Sequence, residues 1–280
     1  MARIESLSIL TTEDGKAYLA EQYGKVIQNV QKGLISGSMK NTELSGDPTS
    51  GSVEAKRFAN ANSKEYGSAR AAGKGANVKA KPVVVQIDTD REIVEEVEEK
   101  DTKLFGVEGL LQKRFANHSV VMDTELDSAF FACAAEAAVE VEIASGTAIE
   151  DELETIIQEC ENTKNDFVNG VPRAMMHLVL GTKYYGKVRN ALDKQIRANV
   201  DTDDEEFYSW HGVEAKSCVN LPDGVDYLLM VTGAVAQPVM SNAYSAEKIP
   251  LSEAHAVSLF YHYGTEAVTP DLIFKKAATV

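Results

Sequence analysis

"FGVEGLLQKRFANHSVVMDTELDSAFF", residues 105–131, is the most regular stretch of the chain. Val107, Leu110, Leu111, Phe115, His118, Met122, Leu126, Ala129 and Phe130 recur every three or four positions, and the series runs on through Cys133 and Ala137. Lys113, Arg114, Asp123, Glu125 and Asp127 fall mostly between them. That is the helical period, so the spacing predicts one long, one-sided helix of roughly eight turns, a spine for other elements to pack on. His118 then reads as a core or interface residue.

Working outward towards the amino terminus, residues 11–35 predict an amphipathic helix. Thr11 followed by Asp14 resembles a capping box, and Leu19, Tyr23, Val26, Ile27, Val30 and Leu34 share a face. Residues 36–52 are dense in Gly, Ser, Asp and Pro and read as a loop. The next stretch, to residue 81, is polar and rich in alanine, glycine and basic residues, too long for an ordinary connection and closer to an extended hairpin. Its return strand is expected in "KPVVVQIDTDREIVEEVEE", residues 81–99.

Towards the carboxyl terminus the pattern predicts a helix over 147–160, a buried strand over 175–180, a Gly181-Thr182 turn, and a helix on Tyr185, Val188 and Leu192. Short strands follow at 213–219, 227–231 and 234–240. "HAVSLFYHYGTEAVTPDLIFKKA", residues 255–277, predicts two antiparallel strands turned near Pro270-Asp271. The fold class is α+β.

The net charge of −15 argues against a sequence-reading nucleic-acid binder, whose affinity comes mainly from lysines and arginines on phosphates. The distribution is uneven. Lys56, Arg57, Lys64, Arg70, Lys74, Lys79 and Lys81 crowd one stretch, and Glu92, Glu95, Glu96, Glu98 and Glu99 dominate the next. A basic segment followed by an acidic one allows copies of the chain to attract one another; two solvated faces are the equal alternative.

Motifs that would carry chemistry are missing. In "GSARAAGKGANVKAK", residues 67–81, five residues separate Gly67 from Gly73, Gly75 stands where a phosphate-binding loop needs a hydroxyl, and the following segment is β-branched. His118, His177, His211, His255 and His262 show no metal-binding spacing. Asp201, Asp203, Asp204, Glu205 and Glu206 lack the glycine and distal glutamate of a calcium loop. Trp210 beside His211 reads as core. Cys133, Cys160 and Cys218 form no C-x-x-C pair and read as reduced, buried thiols of an intracellular protein, and neither a signal peptide nor a membrane span is expected.

The order of these pieces resembles a tailed-bacteriophage major capsid protein of the Hong Kong 97-type fold. Residues 53–99 resemble its extended loop, 105–138 its spine helix, "HLVLGTKYYGKVRNALDK" the start of its axial domain, and "VSLFYHYGTEAVTPDLIFKK" its closing strands. The resemblance implies an N-terminal arm (1–52), an extended loop (53–99), a peripheral domain with the spine helix (100–172), an axial domain (173–244) and the closing strands of the peripheral domain (245–280). It implies a structural, non-catalytic chain without cofactor or metal. Copies would assemble as hexamers and pentamers into an icosahedral virion shell in the host cytoplasm, enclosing double-stranded DNA without reading its sequence. Scaffolding on a separate polypeptide, a portal protein and optional decoration proteins would be its partners, with no membrane involved. The seven basic residues of the loop are the expected subunit contacts, the five glutamates their expected counterparts, and Leu19, Val26, Ile27 and Val30 an expected arm contact. The alternatives are an encapsulin-like nanocompartment shell protein, which shares the fold, and a nucleotide-binding enzyme in which the Gly/Lys loop joins the Trp210-His211 segment.

Overall fold

In a computed structural model of the chain, residues 6–61, 63, 65–67, 77–103, 105–193 and 208–276 are described. In chain order these form α1 (Glu13–Gly33), β1 (Leu44–Ser45), β2 (Ser52–Phe58), β3 (Ala80–Gln86), β4 (Thr89–Val97), the one-turn α2 (Glu99–Thr102) and α3 (Gly106–Ala137). After them come β5 (Val139–Val141), α4 (Ile149–Glu161), β6 (Met176–Gly181), α5 (Thr182–Asp193), β7 (Ser209–Trp210), β8 (Val213–Cys218) and β9 (Tyr227–Val231). The chain closes with β10 (Val235–Ala236), β11 (Val239–Ser241), β12 (Ser245–Lys248), β13 (His255–Tyr263), β14 (Glu266–Ala267) and β15 (Ile273–Lys276). Two compact units share them. One holds residues 1–37, 86–129 and 238–264; the other holds 38–85, 130–237 and 265–280.

In the first unit, Leu19, Val26 and Val30 of α1 meet Leu111, Phe115, Met122 and Leu126 of α3 and the inward residues of β13 in one core. β13 alternates as its sequence demands, with Val257, Leu259, Tyr261 and Tyr263 buried. β4 runs antiparallel along its whole length, from Thr89 opposite Tyr263 to Val97 opposite His255. β12 and β11 pair with β13 as well, over its first and last residues. α1 starts one residue later than the capping box suggested: Thr12, not Thr11, is the N-cap, accepting from the Gly15 N–H at 3.4 Å. At its far end the buried Asp127 carboxylate accepts from the N–H groups of Ile35 and Ser36 and from the Ser36 hydroxyl.

The second unit is built on a six-stranded mixed sheet in the order β5-β15-β9-β6-β8-β7. Leu153, Ile156, Ile157 and Cys160 of α4 and Tyr184 and Val188 of α5 pack on Met176, Leu178 and Leu180 of β6 and Leu229 of β9. β6 is buried on both faces, with Val179 and the polar His177 on the side opposite Met176, Leu178 and Leu180. Lys275 on β15 donates to the Ala135 carbonyl at 3.0 Å, a cation placed on the C-terminal turn of α3.

Four expectations change. The stretch 81–99 is two strands, not one return strand: β3 completes a three-stranded sheet with β1 and β2, and β4 belongs to the β13 sheet. Residues 234–240 divide into β10 and β11 at Gln237-Pro238, where proline supplies no N–H to a ladder. β13 and β15 do not pair with each other; β15 lies between β9 and β5. The helix over 147–160 is present as α4 but shares its core with β6 and β9, so the division expected between residues 172 and 173 does not coincide with the compact units. Alternation and apolar spacing give an element its type, while the partner is chosen by contacts tens of residues away.

Candidate subunit interfaces

The acidic strand comes first. Because side chains alternate across a sheet, residues of β4 opposite the inward residues of β13 face α3 and their neighbours face away. Glu95 is inward. Arg114 of α3 donates to it through Nε at 2.8 and 3.0 Å and through Nη2, and His118 Nε2 stands 3.2 Å from its Oε2. Arg114 holds the Glu95 carboxyl below the ordinary glutamate range. His118 is 1% exposed, and burial pushes its pKa down despite Glu95; its Nδ1 shares a hydrogen bond of 2.8 Å with the Tyr244 hydroxyl. Arg91 is inward as well and bonds Glu125, which also accepts from the hydroxyls of Tyr261 at 2.7 Å and Tyr263 at 3.1 Å.

Of the five glutamates, Glu95 is therefore spent inside the unit. Glu98 takes part in a capping box with Asp101 and pairs with Lys100 at 2.5 Å. Glu92, Glu96 and Glu99 are exposed. Among the described residues β4 pairs only with β13, and its outward charges suit a free strand edge.

On the basic hairpin, the proximal ends of β2 and β3 carry a small core of Val53, Ala55 and Val85 with Ala236 and Val268. Beyond it, Phe58, Tyr66 and Val78 are exposed, as are Lys79 and Lys81. Arg57 is not free for a neighbour: it forms a two-pronged pair with Asp271. Lys56 is exposed and lies 3.6 Å from Glu54. Lys64, Arg70 and Lys74 lie outside the described residues, as do Asp201, Asp203, Asp204, Glu205 and Glu206.

The arm contact needs correction. Leu19, Val26 and Val30 are 1%, 2% and 4% exposed within their own unit, and Ile27 is half-buried against the same core. Amphipathicity announces that a face is buried, not by whom. A different helix face is open: Val120 and Val121 of α3 are exposed beside Thr124 and Ser128, lining a shallow groove of about 610 Å³ with Arg91 and Tyr263.

Other polar clusters had no signal in the sequence. Glu152, 5% exposed, accepts from the hydroxyls of Tyr227 at 2.9 Å and Tyr184 at 3.3 Å and from Lys276 at 3.0 and 3.1 Å. Arg173 bridges Glu154 and Glu161, and with His211 it holds the Glu154 carboxyl down to about 2. His211 and Gly212, at φ +47° and +87°, form the two-residue turn between β7 and β8. Trp210, expected in the core, is 2% exposed, and the His211 ring stacks on it at 4.6 Å. Cys160 and Cys218 are buried, but Cys133 is only half-buried; all three are free thiols, and burial raises Cys133 to about 11 and Cys160 to about 12. Among the described residues no helix is long and apolar enough to cross a membrane.

No family model and no curated protein matches the sequence. Solved structures do match in fold. A chain of Mycobacterium phage Che8 superposes with a TM-score of 0.56 at 15% identity, over 94% of this chain and 90% of that one. The capsid of cyanophage P-SCSP1u gives a TM-score of 0.59 at 14% identity, over 88% of each chain. The virus-like particle of Pyrococcus furiosus gives 0.57 at 12% identity, over 93% of this chain and 99% of that one. The chain has the α+β fold of the tailed-phage major capsid proteins that its sequence resembles.

Proposed function

We propose that this chain is the major capsid protein of a tailed double-stranded DNA bacteriophage, a structural subunit whose copies close into an icosahedral head shell. One observation supports the reading: the likeness in fold to solved capsid chains extends over 88% of this chain and 88–90% of theirs. The Pyrococcus furiosus particle fits no better than the phage capsids, and nothing favours the nanocompartment alternative over them. In this reading the shell is the virion's, assembled in the host cytoplasm from hexamers and pentamers, with scaffolding, portal and decoration proteins as separate partners.

The β2–β3 hairpin would lie over a neighbouring subunit, since a two-stranded hairpin with exposed Phe58 and Val78 is not stable alone in water. Lys79 and Lys81, with Lys64, Arg70 and Lys74, would face Glu92, Glu96 and Glu99 of the next copy. Each exposed ion pair contributes only about 0–1 kcal/mol. Many repeats around a shell make such contacts sufficient, and each stays reversible enough for misplaced subunits to leave. Assembly followed by light scattering is expected to slow as salt rises, because charges more than about 10 Å apart are screened at 0.1 M. A Glu92→Gln, Glu96→Gln double variant should assemble more slowly with a flatter salt dependence. An assembly rate indifferent to salt in the unaltered chain would contradict the charge pairing.

A further inference from the structure

We propose that Arg57 is a positioning residue that sets the angle at which the β2–β3 hairpin leaves its unit, and through that angle the uniformity of the shell; the second half rests on the capsid reading. Arg57 is the last well-packed side chain on β2 before the exposed Phe58. Its side chain is 11% exposed, although it lies in a segment whose composition reads as solvated surface. Nη1 and Nη2 donate to Oδ1 and Oδ2 of Asp271 at 2.5 and 2.6 Å, and the guanidinium sits over the Phe167 ring at 4.5 Å. Asn165 donates to Asp271 Oδ2 at 2.5 Å, while its own Oδ1 accepts from the N–H groups of Phe167 and Val168.

Two segments, around Phe167 and Asp271, thus grip the hairpin at one level. Asp271 lies in the turn Pro270–Leu272 that leads directly into β15, a strand inside the six-stranded sheet, so the grip is anchored to that sheet. Two and three residues past Arg57, the Ala59 N–H donates to Lys79 O and the Asn60 N–H to Asp166 O, both at 2.9 Å, so the second strand and the 163–170 loop are tied at the same height. Burial works against the charged Asp271 carboxylate, but its bonds from Arg57 and Asn165 outweigh it, and the pKa is lowered. A planar fork bonded through both prongs and stacked on a ring resists rotation as well as separation; a lysine would supply only a point charge.

The test compares Arg57→Ala, Arg57→Lys, Asp271→Asn and the exchanged pair Arg57→Asp with Asp271→Arg. Trp210 fluorescence verifies that each variant's unit is folded. In the unassembled subunit, hydrogen exchange at Ala59 and Asn60 should quicken by about tenfold in Arg57→Ala, with a smaller increase in Arg57→Lys and Asp271→Asn and partial recovery in the exchanged pair. In assembled samples, electron microscopy should find one diameter for the unaltered chain and a broad spread, with open or irregular particles, for Arg57→Ala. Unchanged exchange at Ala59 and Asn60 in the folded Arg57→Ala variant would overturn the grip. Faster exchange with shells as uniform as the unaltered chain's would overturn its role in shell regularity. Failure of the unaltered chain to form any shell would instead count against the capsid reading, leaving the exchange result to judge the grip by itself.

Discussion

Glu152→Ala is expected to lower the urea midpoint of the Trp210 fluorescence transition by about 1–2 M, corresponding to a loss of roughly 3–5 kcal/mol. Trp210 is the chain's single tryptophan and lies in the same core as α4 and β6, so its fluorescence follows that unit. The size of the effect follows from what alanine leaves behind. Tyr227 and Tyr184 lose the carboxylate they donate to, and Lys276, with a side chain 21% exposed, loses the charge that compensates its own. Burial lowers the Lys276 pKa; the bonds to Glu152 and Tyr184 more than reverse that, so the ammonium is held in its charged form. Removing one member of such a pair costs more than replacing both. Glu152→Gln, which keeps an acceptor for the tyrosines, should cost clearly less than alanine, and Lys276→Met combined with Glu152→Gln less than either charge left unpaired. A midpoint for Glu152→Ala within about 0.3 M of the unaltered chain would contradict this account of the cluster.

Gly264→Ala is expected to have a comparable effect in the other unit, lowering its calorimetric melting temperature by about 10 °C. The reason is space, not backbone conformation. A Cβ at Gly264 would stand 1.7 Å from the Gln86 carbonyl oxygen and 2.6 Å from its carbon. Those are backbone atoms just before β4, which is locked to β13 from Thr89 opposite Tyr263 onward, so neither side can yield without disturbing the ladder. A side chain's far end could rotate away; a strand cannot. Overpacking of this kind costs about 3 kcal/mol, the upper end of its usual range. A melting temperature within about 2 °C of the unaltered chain's would show that the chain bends more easily here than the strand pairing allows.

The long helix and β13 were legible in the sequence because their periods of 3.6 and 2 are carried by residues that bury one face each, Leu111 to Leu126 in the first and Val257 to Tyr263 in the second. The fold class followed from the order of such elements. Strand partners did not follow. β4 looked like half of the hairpin's return strand because an alternating segment bears the same signature whether it pairs with β2 or with β13. Arg57 and Asp127 looked like surface charge, and Glu152 drew no notice, because the groups that satisfy them, Asp271, Ser36 and Lys276, lie from 91 to 214 residues away in sequence. α1 was misread for a related reason: its apolar stripe was recognised, but the surface covering that stripe belongs to the chain itself. In the capsid reading the basic hairpin and the acidic strand are the proposed contacts with a neighbour, with Arg57, Glu95 and Glu98 removed from the sets that the charge pattern suggested.

The central claim is that copies of this chain close into a shell. Its most direct test is electron microscopy of particles purified after expression of the chain together with the genes that flank it. Closed, icosahedral shells of a single diameter, with this chain as their main component, are the predicted result. Folded chains that stay monomeric or form only amorphous aggregate, under the same co-expression and across a range of salt and protein concentration, would contradict it.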